Sequence, residues 1–362
     1  MCQPPDDWSM TVASTTSDAG GDKLRLWIRR FAGGLVHFLA DCLTLLLWLW
    51  AVGALYFMEY LPAFLGVLLA AALFAGTIVA LVRLSDRRRT WRCVLVVVAV
   101  VAIALMCVRP SNDREWAEDQ AVLPSAVVSD SYVTLSNIRH VVLDSSGGIS
   151  RVSHFHRTYQ LDELERIWFG VEYFTRMKSF AHTFVTFEFA GEQDRQFLTF
   201  SIEIRREKGE SFGLLSGCYR RYELMYVVSE EREMIENRLA TSKDRFFLYP
   251  IRANQESCSA LLVDMIERMN RLQAEPEFYH SITSNCTNNI VRHLNRMSEN
   301  RVNPYSLKII FSGYSDRMAY KLGLLDTDLS FDQAREKFRI DLRGRDLVGS
   351  TDFSAEIRRL SR

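Results

Sequence analysis

Cys286 and His182 are the two residues whose types and settings could do chemistry together. Cys286 sits in Thr283-Ser284-Asn285-Cys286-Thr287-Asn288-Asn289, ahead of Ile290 and Leu294 at helical spacing, so Cys286 to Met297 reads as a helix with the thiol at its start. There the unpaired backbone N–H groups and the helix dipole favour a thiolate. Ser284 and Asn285 supply capping oxygens. His182 heads a strand pattern in Ala181-His182-Thr183-Phe184. An imidazole that takes a thiol's proton lets sulfur attack an acyl carbon, so Cys286 reads as nucleophile and His182 as base.

A third group follows from strand parity. Phe187 and Phe189 lead into Ala-Gly-Glu-Gln-Asp-Arg, a turn, and Phe197 to Arg205 returns. A hairpin about that turn puts Val185 opposite Phe200, Phe187 opposite Leu198 and His182 opposite Glu203. Leu198, Phe200, Ile202 and Ile204 then share one face, with Ser201, Glu203 and Arg205 on the other. Glu203 is expected to orient the imidazole. A slip of two residues would substitute Ser201, and Arg205 and Asn285 are held as supporting residues. His154 and His156 have no third ligand at suitable spacing, so neither a metal nor a cofactor is expected.

The elements that must position these residues read as α+β. Strands are expected at Tyr132 to Val142, Arg166 to Phe174, Thr183 to Phe189, Phe197 to Arg205 and Phe246 to Tyr249. Helices are expected within Leu215 to Val228, from Ser229 (a candidate N-cap) to Leu239, from Gln255 to Leu272 and from Cys286 to Met297, followed by short helices and loops.

Composition averages hide a sharp division. The formal net charge is zero and charged residues make up 24%, yet the first third is strongly apolar. Neutrality and the absence of a long basic run away from the membrane flanks give no sign of a nucleic-acid partner. Three stretches, 31–57, 61–82 and 93–108, approach or exceed the ~20 residues that cross a bilayer. Lys23, Arg25, Arg29 and Arg30 precede the first, and Arg83, Arg87, Arg88, Arg89 and Arg92 separate the second from the third, whereas the first connector carries only Glu59. The positive-inside rule places residues 1–30, a polar and largely disordered tail, in the cytoplasm and residues 109–362 on the outer face of a bacterial inner membrane. Arg109, Arg114 and Trp116 leave the last span directly and are expected at the lipid headgroups. Of the outer cysteines Cys218, Cys258 and Cys286, an odd set, at least one must be free, and Cys218 and Cys258 read as core residues that could bridge.

The outer domain also resembles a known family. Arg109-Pro-Ser-Asn-Asp-Arg-Glu-Trp116, Ala181-His182-Thr183-Phe184, Ser201-Ile202-Glu203-Ile204-Arg205-Arg206-Glu207-Lys208-Gly209-Glu210, Asn285-Cys286-Thr287 and Phe353-Ser354-Ala355-Glu356-Ile357-Arg358 together resemble the Lnb N-terminal periplasmic family of bacterial membrane proteins. Its name comes from members implicated in N-acylating lipoproteins. The order of His before Cys is also similar to permuted papain-like (NlpC/P60-like) folds such as the lecithin:retinol acyltransferase group, which move fatty acyl chains through a cysteine thioester. That resemblance implies Cys286 as nucleophile and His182 as base, although the polar Thr287-Asn288-Asn289 departs from the group's pattern.

The combined expectation is a membrane-anchored α+β protein in which three transmembrane helices precede a periplasmic permuted papain-like domain. Its expected activity is a cysteine acyltransferase or acyl hydrolase acting on phospholipid, with a lipoprotein as acceptor and the bilayer as surroundings. Two alternatives stay open: an amidase or peptidase of cell-wall peptides, and a non-catalytic envelope sensor or assembly protein. The oligomeric state is left open.

Overall fold

The computed structural model describes residues 19–58, 62–83, 86–144, 146–175, 179–191, 194–298 and 301–359. Most of the expected tail, with Cys2, and Glu59 of the first connector lie outside the described residues. The chain divides into two compact units. One holds the helices through Ala104 apart from Phe57, and the other holds Phe57 and the chain from Leu105 onward.

The first unit is built from α1 (Ala19–Phe57), α2 (Ala63–Arg83) and α3 (Arg87–Cys107). All three are long and apolar enough to cross a membrane, over Trp27–Phe57, Phe64–Arg83 and Arg88–Cys107. The third span is therefore longer than its apolar core suggests, because Arg88, Arg89 and Arg92 join the helix instead of forming a loop. Ala51 and Ala54 are fully buried, and Gly66 of α2 comes so close to the Leu55 carbonyl that a Cβ there would lie 2.8 Å from its oxygen. Small residues let the backbones approach. Trp48 Nε1 then donates to Thr77 Oγ1 at 3.1 Å.

The second unit is a sheet of eight strands, β1 (Ser125–Val128), β2 (Tyr132–Leu143), β3 (Ile149–Gln160), β4 (Leu164–Tyr173), β5 (Ala181–Phe189), β6 (Gln196–Arg205), β7 (Glu223–Glu230) and β8 (Arg245–Pro250). Their order is β1-β2-β7-β6-β5-β4-β8, with β3 on β2. Neighbours pair antiparallel except β2 and β7, which meet through one parallel pair, Arg139 and Ser229. The β5–β6 ladder places Val185 opposite Phe200 and Phe187 opposite Leu198, the register that parity requires. Leu198, Phe200, Ile202 and Ile204 enter the main core beneath α5 (Gln255–Ala274) and α6 (Cys286–Met297). The opposite face is covered by α4 (Glu231–Thr241) and by the C-terminal α7 (Asp341–Gly344) and α8 (Phe353–Arg359), around Phe184, Met234, Phe246 and Phe353. The arrangement is α+β with a sheet covered on both sides.

Two expectations need correction. Leu215 to Val228 is not helical: a 3-10 turn at Ser216–Cys218 is followed by β7, a central strand buried on both faces. A run that is apolar on both sides has no alternation to separate strand from helix. Ser229 consequently lies inside β7, and Glu230 takes the N-cap position of α4. β3 escaped notice for the opposite reason, because Arg151, Ser153, His154, His156 and Arg157 make it polar and it pairs only with β2.

Gly170 of β4 faces Phe184 of β5 across the sheet. A Cβ at 170 would lie 2.1 Å from the Phe184 ring, which is fully buried and has nowhere to move. Gly170→Ala is therefore expected to cost about 3 kcal/mol by overpacking. Thermal denaturation checks this, and an unchanged melting temperature would contradict the close approach.

Candidate active site

The start of α6 is built by its own polar residues. Asn285 is the N-cap: its Oδ1 accepts from the Asn288 amide at 2.9 Å, and Asn288 Oδ1 accepts in return from the Asn285 amide at 3.0 Å. Their remaining amide groups reach outward, Asn285 Nδ2 to the Ser281 carbonyl and Asn288 Nδ2 to the Pro304 carbonyl. Asn289 Nδ2 donates back to the Asn285 carbonyl at 2.8 Å. Thr287 Oγ1 lies 3.1 Å from Thr183 Oγ1, pinning the helix to β5 beside both Cys286 and His182. These three residues are buried, which explains why Thr287-Asn288-Asn289 is polar: every group has a structural partner. Cys286 follows the cap as the first residue of the helix and is itself buried.

The imidazole is held from the other side. His182 Nε2 lies 2.8 Å from Ser201 Oγ and 3.7 Å from Glu203 Oε1. Ser201 Oγ donates its one hydrogen to Glu203 Oε1 at 2.7 Å, so toward the ring it can only accept. Nε2 therefore carries the hydrogen, and Nδ1 is the nitrogen left to face a proton donor. Both sequence candidates are thus present, Ser201 in direct contact and Glu203 behind it. Arg238 of α4 fixes the carboxylate, with Nη2 at 3.2 Å from Glu203 and Nε at 3.2 Å from Glu172. Burial alone would raise the Glu203 pKa, but Arg238, Arg139, His182 and Ser201 together bring it down to about 2. Glu172 moves the other way, raised by burial against the pull of Arg238.

Thiol and imidazole shift each other. Burial pushes the Cys286 thiol up, but the hydrogen bond and charge of His182, with the hydroxyl and amide of Thr183, bring it down to about 7. Burial alone would lower the His182 pKa, yet Cys286 and Glu203 raise it overall. The directions are those of a thiolate–imidazolium pair. Both residues open into a cleft of about 420 Å³. One part of its wall is charged, with Arg139, Arg206, Arg238 and Asp119, and another is apolar, with Phe174, Phe180, Phe212 and Leu214.

Other expected residues lie elsewhere. Arg205 is buried away from the cleft, its guanidinium 4.1 Å over the Trp116 ring and donating to the carbonyls of Gln120 and Ala121 and to Asn112 Oδ1. Burial lowers its pKa to about 10. Trp116 is buried and donates to the Asn112 carbonyl, and Arg114 pairs with Glu207 and Glu223, each at 2.8 Å. Expected at the headgroups, these two are internal fastenings of the domain, and only Arg109 of that trio is exposed. Cys218 and Cys258 are both free thiols rather than a bridge.

Sequence reasoning missed Arg238, Glu172, Thr183 and Thr287. Parity puts Thr183 on the face of β5 opposite His182, so its contact with the start of α6 was not legible, and a single arginine on a helix carries no signal of what it faces. Among the described residues no group of three or more His, Cys, Asp or Glu is arranged to hold a metal.

No curated protein and no solved structure matches the chain. Residues 151–313, which include His182, Ser201, Glu203 and Cys286, match the family model described as the Lnb N-terminal periplasmic domain. The match marks this segment as similar to a periplasmic domain, and the chain carries it behind three helices long and apolar enough to cross a membrane.

Proposed function

We propose that the protein is a membrane-tethered cysteine acyltransferase or acyl hydrolase of the periplasmic face, with Cys286 as nucleophile and His182 as general base and acid. The observation that carries this reading is the buried thiol brought down to about 7 by an imidazole that Ser201 and Glu203 hold from behind. The strand–strand–helix order of His182, Ser201/Glu203 and Cys286 supports a permuted papain-like relationship. Lys23, Arg25, Arg29 and Arg30 in the N-terminal part of α1, with Arg83 ending α2 and Arg87, Arg88, Arg89 and Arg92 opening α3, support a cytoplasmic N-terminus.

In the proposed reaction Cys286 Sγ attacks the ester carbonyl of a phospholipid, and the carbonyl oxygen becomes an oxyanion facing the first-turn N–H groups of α6. The C–O bond breaks, the alkoxide leaves with the proton held on His182 Nδ1, and the acyl group remains as a thioester on Cys286. An amine, such as the N-terminus of a lipoprotein, or water then attacks. His182 takes its proton, the C–S bond breaks and the thiolate returns.

Incubating the full chain with phospholipid, quenching in acid and measuring peptide masses tests this directly. One acyl group is expected on the peptide holding Cys286 and none on the Cys286→Ala variant. Absence of the adduct, with normal turnover by Cys286→Ala, would leave His182 and Cys286 with structural roles only. The polar part of the cleft wall, with Arg139, Arg206, Arg238, Asp119 and Glu172, favours a second reading, an amidase or peptidase of cell-wall peptides. That activity predicts cleavage of a soluble peptide in place of the acyl adduct.

A further inference from the structure

One wall of the cleft is a loop, residues 211–221, whose polar groups are consumed internally while its apolar side chains face out. Tyr222 Oη donates to the Ser211 carbonyl at 2.7 Å, accepts from the Gly213 amide at 3.1 Å and lies 2.8 Å from Ser216 Oγ. Ser281 N–H donates to the Gly217 carbonyl at 3.1 Å, joining the loop to the segment before α6. Gly217 has no room for a Cβ there, since Ser281 Oγ would lie 2.4 Å away. A loop fastened in this way is rigid, yet Phe212, Leu215 and Ile282 are 43%, 66% and 44% exposed. Phe212 and Leu214 also line the cleft. Exposed large apolar side chains gathered on one braced rim need a covering partner.

The same loop carries the evidence for what covers it. Leu105 to Val108, the end of the third apolar helix and its exit, belong to this compact unit, as does Phe57, the last residue of the first. Arg220 donates from Nη1 to the carbonyls of Leu105, Met106 and Val108 at 3.3, 3.1 and 3.0 Å, and Tyr219 stacks on Phe57 at 5.3 Å. Arg220 holds φ at +55°, a strained backbone for a non-glycine residue, to make that cap. The loop is therefore fastened to the points where two bilayer-length helices end. Arginine and tyrosine at such ends are the residues that settle at a membrane–water interface.

We propose that Phe212, Leu215 and Ile282 form a lip embedded in the interface of the outer leaflet, and that the cleft receives an acyl chain sideways from the bilayer. This rests on the reading that the domain is tethered at a membrane face and acts on lipid, and it names the route by which that lipid arrives. Bulk solvent is not the source, because the apolar wall of the cleft is continuous with the lip.

The experiment uses the full chain in nanodiscs of phosphatidylcholine that carries a photoactivatable diazirine in its acyl chain. After irradiation and digestion, the peptide spanning residues 211–221 is expected to bear lipid adducts, as do the spans. Phe212→Glu/Leu215→Glu should lower labelling of that peptide severalfold while labelling of α3 stays constant. Cys286→Ala should label like the natural chain, so the outcome is independent of any thioester. An unlabelled loop beside labelled spans, or a loop that cross-links to a second copy of the chain, would overturn the proposal. If the lip is labelled and no acyl adduct forms on Cys286, the membrane docking stands and the chemistry falls.

Discussion

His182→Ala is expected to return the Cys286 thiol to at least its ordinary range. The imidazole is the largest influence holding the thiol down; burial pushes it up, and the Thr183 contacts are the smaller remainder. With the thiol at about 7, half of it is thiolate at neutral pH; near its ordinary value of 9.0 only about one part in a hundred would be. Alkylation by iodoacetamide should therefore slow about fifty-fold at pH 7, and its rate-versus-pH curve should move two or more units toward alkaline. The direction follows from the charge: acid protonates the thiolate, so the natural chain loses reactivity as pH falls through 7, and the variant loses it already from above 9. Cys258, raised to about 11 by burial, and Cys218, also raised by burial, react slowly enough for Cys286→Ala to supply the background. Turnover should fall further, by about 10³-fold, because the proton for the leaving group is lost as well. A variant that alkylates at the natural rate at pH 7 would show that the imidazole does not govern the sulfur.

How far the site was legible depends on which level each residue's role lives on. The face of β6 that holds Ser201 and Glu203 is a consequence of the two-residue period, so Leu198, Phe200, Ile202 and Ile204 reveal it without coordinates. Which of the two the imidazole bonds is a matter of side-chain reach, and parity is silent there: Ser201 lies at 2.8 Å and Glu203 at 3.7 Å. The helix beginning at Cys286 was readable because its cap and its buried Ile290 are local in sequence. Arg205 was misassigned because its partners, Trp116 and the carbonyls of Gln120 and Ala121, come from a distant segment that only the folded chain brings beneath it. Arg238 was invisible for the same reason, since its two carboxylates stand on β4 and β6. β7 shows the limit of periodicity itself: a strand covered on both faces has the composition of a buried helix.

The end of the chain makes the larger stability prediction. Arg358 of α8 is buried between the rings of Phe197 and Trp168, 3.9 and 4.4 Å from their centroids. Its two terminal nitrogens meet the two oxygens of Glu231, at 2.6 and 2.7 Å. Glu231 is fully buried at the first turn of α4, where the helix dipole helps hold its charge. Arg358→Ala removes the group that matches both Glu231 oxygens and strands a buried carboxylate. The expected cost is about 3–5 kcal/mol, a fall of roughly 10 °C in the melting temperature. Lysine should recover little, because one ammonium cannot reproduce a planar fork. Arg358→Met with Glu231→Leu should recover most of it, since removing both charges removes the desolvation cost with the attraction. If Arg358→Ala melts within a degree of the natural chain, Glu231 must reach water or a proton that the geometry does not offer. The consequence reaches the cleft, because α4 also carries Arg238. An anchor 127 residues further along the chain from Glu231 holds the helix that sets the carboxylates behind His182, so activity in Arg358→Ala should fail at lower temperature than the main sheet unfolds.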